Sequence, residues 1–335
     1  MRRSLVILFV ALCAMYGVPD ANGGVGGAVD KRHVVGWLPG NEPWYCIDDK
    51  TGKSKCTNKW NTAPYWNYVY VYNRSGWSGT GEFISPKHIL TNKHVADGCG
   101  LNNKPKCAIY ISDGRSFNAS VVKYENNPDF KSDERESDWS ILEIEGYASK
   151  HWFDYTSPTP EGAGAWRAGF GALNVLSADD IKNIRTAYKK WLHIVHPYNF
   201  LWQGVKQDMR QIDLNYNDND INDNQDYYKT FITTFKELTN KDFVEDYLSD
   251  DYTLKAIEYC HIGAKYSKMA THSCQSWAGD SGSSLQNNSN QIMLLTSRGY
   301  RYVTSEKEYT NSGIVTENIF SEEIEEMLNA AKNKK

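Results

Sequence analysis

Several features are missing from this chain of 335 residues, and each absence removes a class of function. Beyond the first seventeen residues, no segment is apolar and long enough to span a bilayer as a helix. No polybasic run occurs, and the formal charge is only −4, so the chain has no electrostatic footprint for nucleic acid or for an anionic membrane. None of the seven cysteines forms a C-x-x-C pair, which argues against a structural zinc site. No histidine follows Ser281, and that absence becomes decisive below.

The start, "MRRSLVILFVALCAMYG", has the order of an export signal: two arginines, an apolar run from Leu5 to Met15, then small and polar residues. Cleavage is expected near Ala21 to Gly24, giving a signal at 1–23 and a secreted product, extracellular or periplasmic, with no membrane insertion once the signal is gone. Loss of Cys13 leaves Cys46, Cys56, Cys99, Cys107, Cys260 and Cys274, which fall into three sequence-local pairs. Six cysteines permit 15 connectivities, and nearest-neighbour pairing closes the smallest loops. In an oxidising compartment three disulfides, 46–56, 99–107 and 260–274, are expected.

Residues 24–66 read as an irregular leader, rich in Gly, Pro and Trp. From 67 the pattern turns to short alternating runs split by turn residues, "NYVYVYN", "GTGEFIS", "HILTNKHV", "CAIYIS", "FNASVVKY" and "WSILEIEG", the spacing of a barrel or sandwich. A second such region starts at "AWRAGFG", 165–171. Between about 175 and 255 the period becomes helical, with Ile181, Ile184, Tyr188, Trp191 and Val195 in register after an N-terminal Ser177. Within it, 213–226 holds five Asp and five Asn and is expected as an exposed loop. Asp213, Asn215 and Asn217 alternate as calcium ligands do, but Asp218 stands where an EF-hand needs glycine and Asn224 where it needs glutamate. His193 and His196 form an isolated pair read as incidental. The end, "SEEIEEMLNAAKNKK", predicts a helix with Ile324, Met327 and Leu328 as its apolar stripe.

The stretch "CQSWAGDSGSSL" sets Ser281 between glycines, directly after Asp280. A serine hydroxyl is a weak nucleophile until a base takes its proton, and the base needs an orienting acid. His94, in "HILTNKHVADGC", stands where an apolar strand ends in a turn, and Asp138 opens "SDWSILEIEG". His88, at the turn entering the same strand, is read as a surface histidine. The G-x-S-x-G elbow is not met, because Ser283 holds its fifth position and no histidine follows. The subtilisin order places the acid before the histidine, whereas here the order is His, Asp, Ser.

With "TNKHV", "SDWSIL" and "GDSGSS" in that order, the chain resembles the trypsin-like serine peptidases, in particular the branch of glutamyl endopeptidases and exfoliative toxins. "RAGFG" and "GIVTENIFSEEIEEML" resemble the second-barrel glycine segment and the final strand and helix of that branch. The resemblance covers 65–171 and 255–330 and misses the helical stretch. His94 and Asp138 lie 44 residues apart, against about 45 in the trypsin-like template.

The resemblance implies an all-β fold of two antiparallel six-stranded barrels, with a first barrel at 67–150, a second at 151–330, a largely helical insertion and a C-terminal helix. It implies His94 as general base, Asp138 as its orienter and Ser281 as nucleophile, with Gly279 and Ser281 giving the oxyanion N–H groups. Ser297 resembles the residue that hydrogen-bonds the acid. It implies protein or peptide substrates and no cofactor or metal; the competing reading is an inactive homologue acting as a binding or toxin-like protein. Cleavage after Lys or Arg needs an aspartate six residues before the nucleophile, where this chain has Gln275. Ser276, Thr296 and Arg298 complete the expected substrate pocket, which points to acidic or small polar side chains. "VDKRHVVGW" resembles a trypsin-like activation site whose freed amine would pair with Asp280; the alternative is that Asp280 bonds locally. Ser284 replaces the proline usual after the nucleophile motif.

Overall fold

The computed structural model describes residues 32–42, 46, 51, 53–54, 56–73, 78–97, 99–100, 106–124, 135–171, 183, 233, 235–241, 253–274, 276, 279–297 and 311–333. The export signal, the loop at 213–226, His193, His196, Gln275 and Arg298 lie outside the described residues. Of the expected helical insertion, 183, 233 and 235–239 are helical, 240–241 form a bend and 253–255 are strand among the described residues. A strand, Thr253–Tyr266, begins at the end of that stretch.

Fourteen strands are described: β1 His33–Trp37, β2 Tyr68–Tyr72, β3 Ser78–Phe83, β4 His88–Thr91, β5 Cys107–Tyr110, β6 Ser116–Tyr124 and β7 Ser140–Ile144 come first. There follow β8 Asp154–Tyr155, β9 Gly164–Gly169, β10 Thr253–Tyr266, β11 Met269–His272, β12 Ser284–Gln286, β13 Gln291–Thr296 and β14 Asn311–Val315. Helices α1 Lys93–Ala96, α2 Thr316–Ile319 and α3 Glu322–Asn333 complete the elements used below.

The two antiparallel six-stranded barrels expected from the sequence are both formed. The first closes in the order β2-β3-β4-β7-β6-β5. The second runs β10-β11-β14-β13-β12-β9 and closes through the β10–β9 pairing. Residues 33–37, within the segment read as irregular, form β1 and pair with the outer reach of β10.

Strand period explains how the barrels share a core. In "YVYVY" alternate side chains point to opposite faces. Val69 and Val71 enter the first barrel with Ile89 and Leu142, while Tyr68 and Tyr70 turn outward with Leu90 and Ile141. There they meet Ala168, Phe170, Leu254, Ile292 and Leu295 from the second barrel. Strands β2, β4 and β7 are therefore buried on both faces, which is why they read as nearly continuous apolar runs. Ile324 and Leu328 of α3 close the same inter-barrel core.

The three local cysteine pairs are disulfides, with Cα separations of 5.1, 4.6 and 4.9 Å for 46–56, 99–107 and 260–274. Such separations lie inside the range that a bridge can span.

Trp60 anchors the leader to this core. It is fully buried, donates its indole N–H to the Tyr68 carbonyl at 3.0 Å and packs edge-on against Phe170 at 5.0 Å. Trp60→Ala removes both contacts and leaves a cavity between the barrels, so a loss of about 3–5 kcal/mol is expected. Urea unfolding of the variant beside the parent measures it.

Candidate active site

Sheet register brings the first two candidate residues together. Thr91, the last residue of β4, stands directly opposite Ser140, the first of β7. The chain just beyond Thr91 and the chain just before Ser140 are therefore neighbours, and these are the positions of His94 and Asp138. The short helix α1 then turns His94 back over the acid.

Asp138 is almost fully enclosed and is held from several directions. Its Oδ1 accepts the His94 backbone N–H at 3.0 Å, and its Oδ2 accepts the Ser297 hydroxyl at 3.1 Å. Asn92 donates its side-chain amide to the Asp138 carbonyl at 2.7 Å. The His94 ring presents Nδ1 at 2.8 Å from Oδ2 and 3.0 Å from Oδ1. A carboxylate only accepts, so Nδ1 carries a proton and donates it to Asp138. His88, read as a surface residue, is instead buried in β4, with its Nδ1 at 2.7 Å from Ser85 Oγ. Burial moves its pKa below the ordinary histidine value. It sits one strand length from His94 and faces a different partner.

The loop of Ser281 is stitched to the first barrel by Thr80, a residue the sequence reading passed over. The Thr80 N–H donates to the Ser281 carbonyl at 2.8 Å, and its hydroxyl donates to the Gly279 carbonyl at 2.8 Å. The same hydroxyl accepts the Phe170 N–H at 2.9 Å, and the Thr80 carbonyl accepts the Thr91 hydroxyl at 2.7 Å. Gly282 has φ of +85° and lies so close that an added Cβ would stand 2.1 Å from the Thr80 carbonyl oxygen and 3.1 Å from the Asn92 nitrogen. The Ser281 loop thus rests on the turn that carries His94. Among the described residues, the N–H groups of Gly279 and Ser281 donate to no partner.

Asp280 turns the other way, into the second barrel. It forms a buried ion pair with Arg167, Nη2 to Oδ2 at 2.9 Å, in which both side chains are almost fully enclosed. Arg167 also reaches the hydroxyls of Ser276 and Ser283, each at 3.2 Å, and Ser283 Oγ donates to the Asp280 carbonyl at 2.7 Å. Gly169 and Gly171 of "RAGFG" make room for the carboxylate: a Cβ on either would come within 2.8 Å of an Asp280 oxygen. The Asp280 carboxylate is therefore engaged by a side chain distant in sequence, Arg167. Arg32 of the activation-like segment is itself buried, and its Nη1 lies against the same Gly171.

Of the expected pocket residues, Ser276 and Thr296 are buried beside the loop, and the Thr296 N–H donates to the Ser283 carbonyl at 2.8 Å. Ser297 belongs to Asp138. The signal that pointed to Thr80 was present in "GTGEF" only as a small residue between glycines, which has no individual meaning before the barrels are assembled.

The family model for Trypsin matches residues 52–223, just over half of the chain. The chain belongs to the trypsin family. The matched span contains His94 and Asp138 and ends before Ser281. Among solved structures, a Glu endopeptidase in complex with MPD is 14% identical, with a TM-score of 0.44 over 83% of this chain and 95% of that one. A protease from M. tuberculosis in its active form is 12% identical, with a TM-score of 0.41 over 80% and 81%. A serine endoprotease from Yersinia pestis is 15% identical, with a TM-score of 0.40 over 80% and 64%. No curated protein matches.

Breaking the Arg167–Asp280 pair from one side removes the cation hydrogen-bonded to a buried carboxylate. Arg167→Met is expected to lower stability by about 3–5 kcal/mol, and Arg167→Met combined with Asp280→Asn to recover part of it. A double-mutant cycle by urea unfolding reads both.

Proposed function

We propose that this trypsin-family serine peptidase is a secreted endopeptidase that cleaves peptide bonds through Ser281, His94 and Asp138. Support comes chiefly from one observation: Asp138 and Ser297 orient the His94 ring while Thr80 and Gly282 press the Ser281 loop against the same turn. Three disulfides and the signal-like start support export. Among the described residues no helix is long and apolar enough to cross a membrane.

In this mechanism Ser281 Oγ attacks the scissile carbonyl carbon as His94 Nε2 takes the hydroxyl proton. The carbonyl becomes an oxyanion, which the N–H groups of Gly279 and Ser281 receive; a donor of this kind contributes about 10²–10³ in rate. The tetrahedral adduct collapses, the C–N bond breaks, and His94 returns its proton to the leaving amine. Water, deprotonated by the same ring, then hydrolyses the acyl-serine. Asp138 holds the proton-bearing Nδ1 and stabilises the imidazolium that forms in each step.

Ser281→Ala is expected to reduce peptide hydrolysis by about 10⁴-fold or more while the circular-dichroism melt stays that of the parent. The parent should be labelled stoichiometrically by a fluorophosphonate at Ser281. A folded parent that takes no label points instead to a binding protein on a peptidase fold.

Specificity follows from Ser276. Its oxygen accepts a hydrogen bond from Arg167, so its own proton is left to donate towards the substrate. A donor there, with Gln275 in place of an aspartate, favours substrate side chains that accept hydrogen bonds, acidic or small and polar, over Lys and Arg. Profiling with a peptide library should show this order, and Arg298→Ala should lose any preference for acids. Efficient cleavage after Lys or Arg contradicts this account of the pocket.

A further inference from the structure

One buried acid has no part in the chemistry above. Glu82 lies in β3 of the first barrel, fully enclosed, and its carboxyl crosses to the second barrel. There its Oε1 accepts both the backbone N–H and the hydroxyl of Ser284, the latter at 3.0 Å. The bonds continue: Gln286 donates its amide to Ser284 Oγ at 2.6 Å, and Gln286 Oε1 accepts the Tyr68 hydroxyl at 2.7 Å. Tyr68 in turn accepts the Ala168 N–H at 3.2 Å. This chain passes from β3 to β12, back to β2, and on to β9.

Thr80 and Glu82 are two residues apart on one strand, so both point to the same face of β3. Thr80 holds the carbonyls of Gly279 and Ser281, and Glu82 holds the N–H of Ser284, three residues beyond the nucleophile. The turn is gripped on both sides of Ser281 by a single strand of the opposite barrel. We propose that Glu82 is a positioning residue for the nucleophile, its acceptor oxygen setting where the Ser281 turn sits against His94.

This placement rests on the peptidase reading above. Burial raises the Glu82 pKa well above the usual carboxylate range, against the opposing pull of the Ser284 hydrogen bonds and the Arg167 charge. Its Oε2 has no hydrogen-bond partner among the described residues. The acceptor at Oε1, rather than a full charge, is therefore what the site uses, and glutamine supplies the same acceptor.

The test compares the full chain with Glu82→Gln, Glu82→Leu and Ser284→Ala, reading kcat and KM on a peptide, fluorophosphonate acylation at Ser281, and thermal unfolding. Glu82→Gln is expected to stay within about threefold of the parent in kcat, because both Ser284 bonds remain. Glu82→Leu is expected to lose ~100-fold in kcat with KM nearly unchanged, the scale of an ångström's misplacement of a nucleophile. Ser284→Ala, which removes one of two donors, is expected to fall between them. A folded Glu82→Leu with parental kcat, or with its loss confined to KM, overturns the proposal. If Glu82→Leu does not fold, Ser284→Ala decides: parental kcat overturns the proposal, and a lowered kcat with a parental melt upholds it. A parent that takes no label at Ser281 overturns the peptidase reading and this one together. Equal labelling of the parent and a folded Glu82→Leu overturns this one alone.

Discussion

Thr80 uses its amide, hydroxyl and carbonyl at once, and the geometry of the site hangs on that use. Its amide and hydroxyl take the two carbonyls flanking Asp280, its hydroxyl also receives Phe170 from β9, and its carbonyl takes Thr91 at the end of β4. One buried residue thereby joins the strand before His94, the loop of Ser281 and the glycine segment of the second barrel. Residues from both barrels can face each other only if the joint between them does not slide, and Thr80 ties that joint at its centre. Leaving any of these buried polar groups without a partner would cost about 1–3 kcal/mol, so the arrangement is held as much by the penalty for breaking it as by the bonds themselves.

Around that joint lie buried charges that a core of this size does not need for stability. Arg167 and Asp280 are paired; Lys255 donates to the Gly171 carbonyl at 2.7 Å; Arg32 lies across the same glycine. Buried ion pairs rarely gain over apolar packing, because desolvation offsets the attraction. What they do supply is direction. Asp280 is drawn into the second barrel, so its neighbour Ser281 is turned outward and remains partly exposed. A hydrophobic residue in place of Asp280 would be drawn inward with no such orientation.

The apolar core reaches the same end by another route. Because β2, β4 and β7 bury both faces, each of these strands is fixed from inside its barrel and from the neighbouring barrel. A register slip of one residue would exchange the two faces and put tyrosine where valine fits. The register that places Thr91 opposite Ser140 is therefore enforced by packing at Val69, Tyr70, Ile89 and Leu90, well away from the histidine it serves.

Much of this was legible in the residues. Short alternating runs indicated barrels, and three motifs in the order His, Asp, Ser indicated the chemistry, because spacing along strands and turn composition are local properties. The cysteine pairs were readable for the same reason: bridges between near neighbours are limited by loop length. Other features were hidden. His88 looked like a turn residue, yet it is buried in β4, since only its strand neighbours determine what covers it. The partner of Asp280 proved to be Arg167, 113 positions away, and Glu82 meets Ser284 across 202. Sequence by itself determined which residue types are available for the proposed chemistry and in which order they come. The tertiary structure alone decided which buried polar atoms meet, because a hydrogen bond between barrels depends on two folds packing together and leaves no periodic trace along either one.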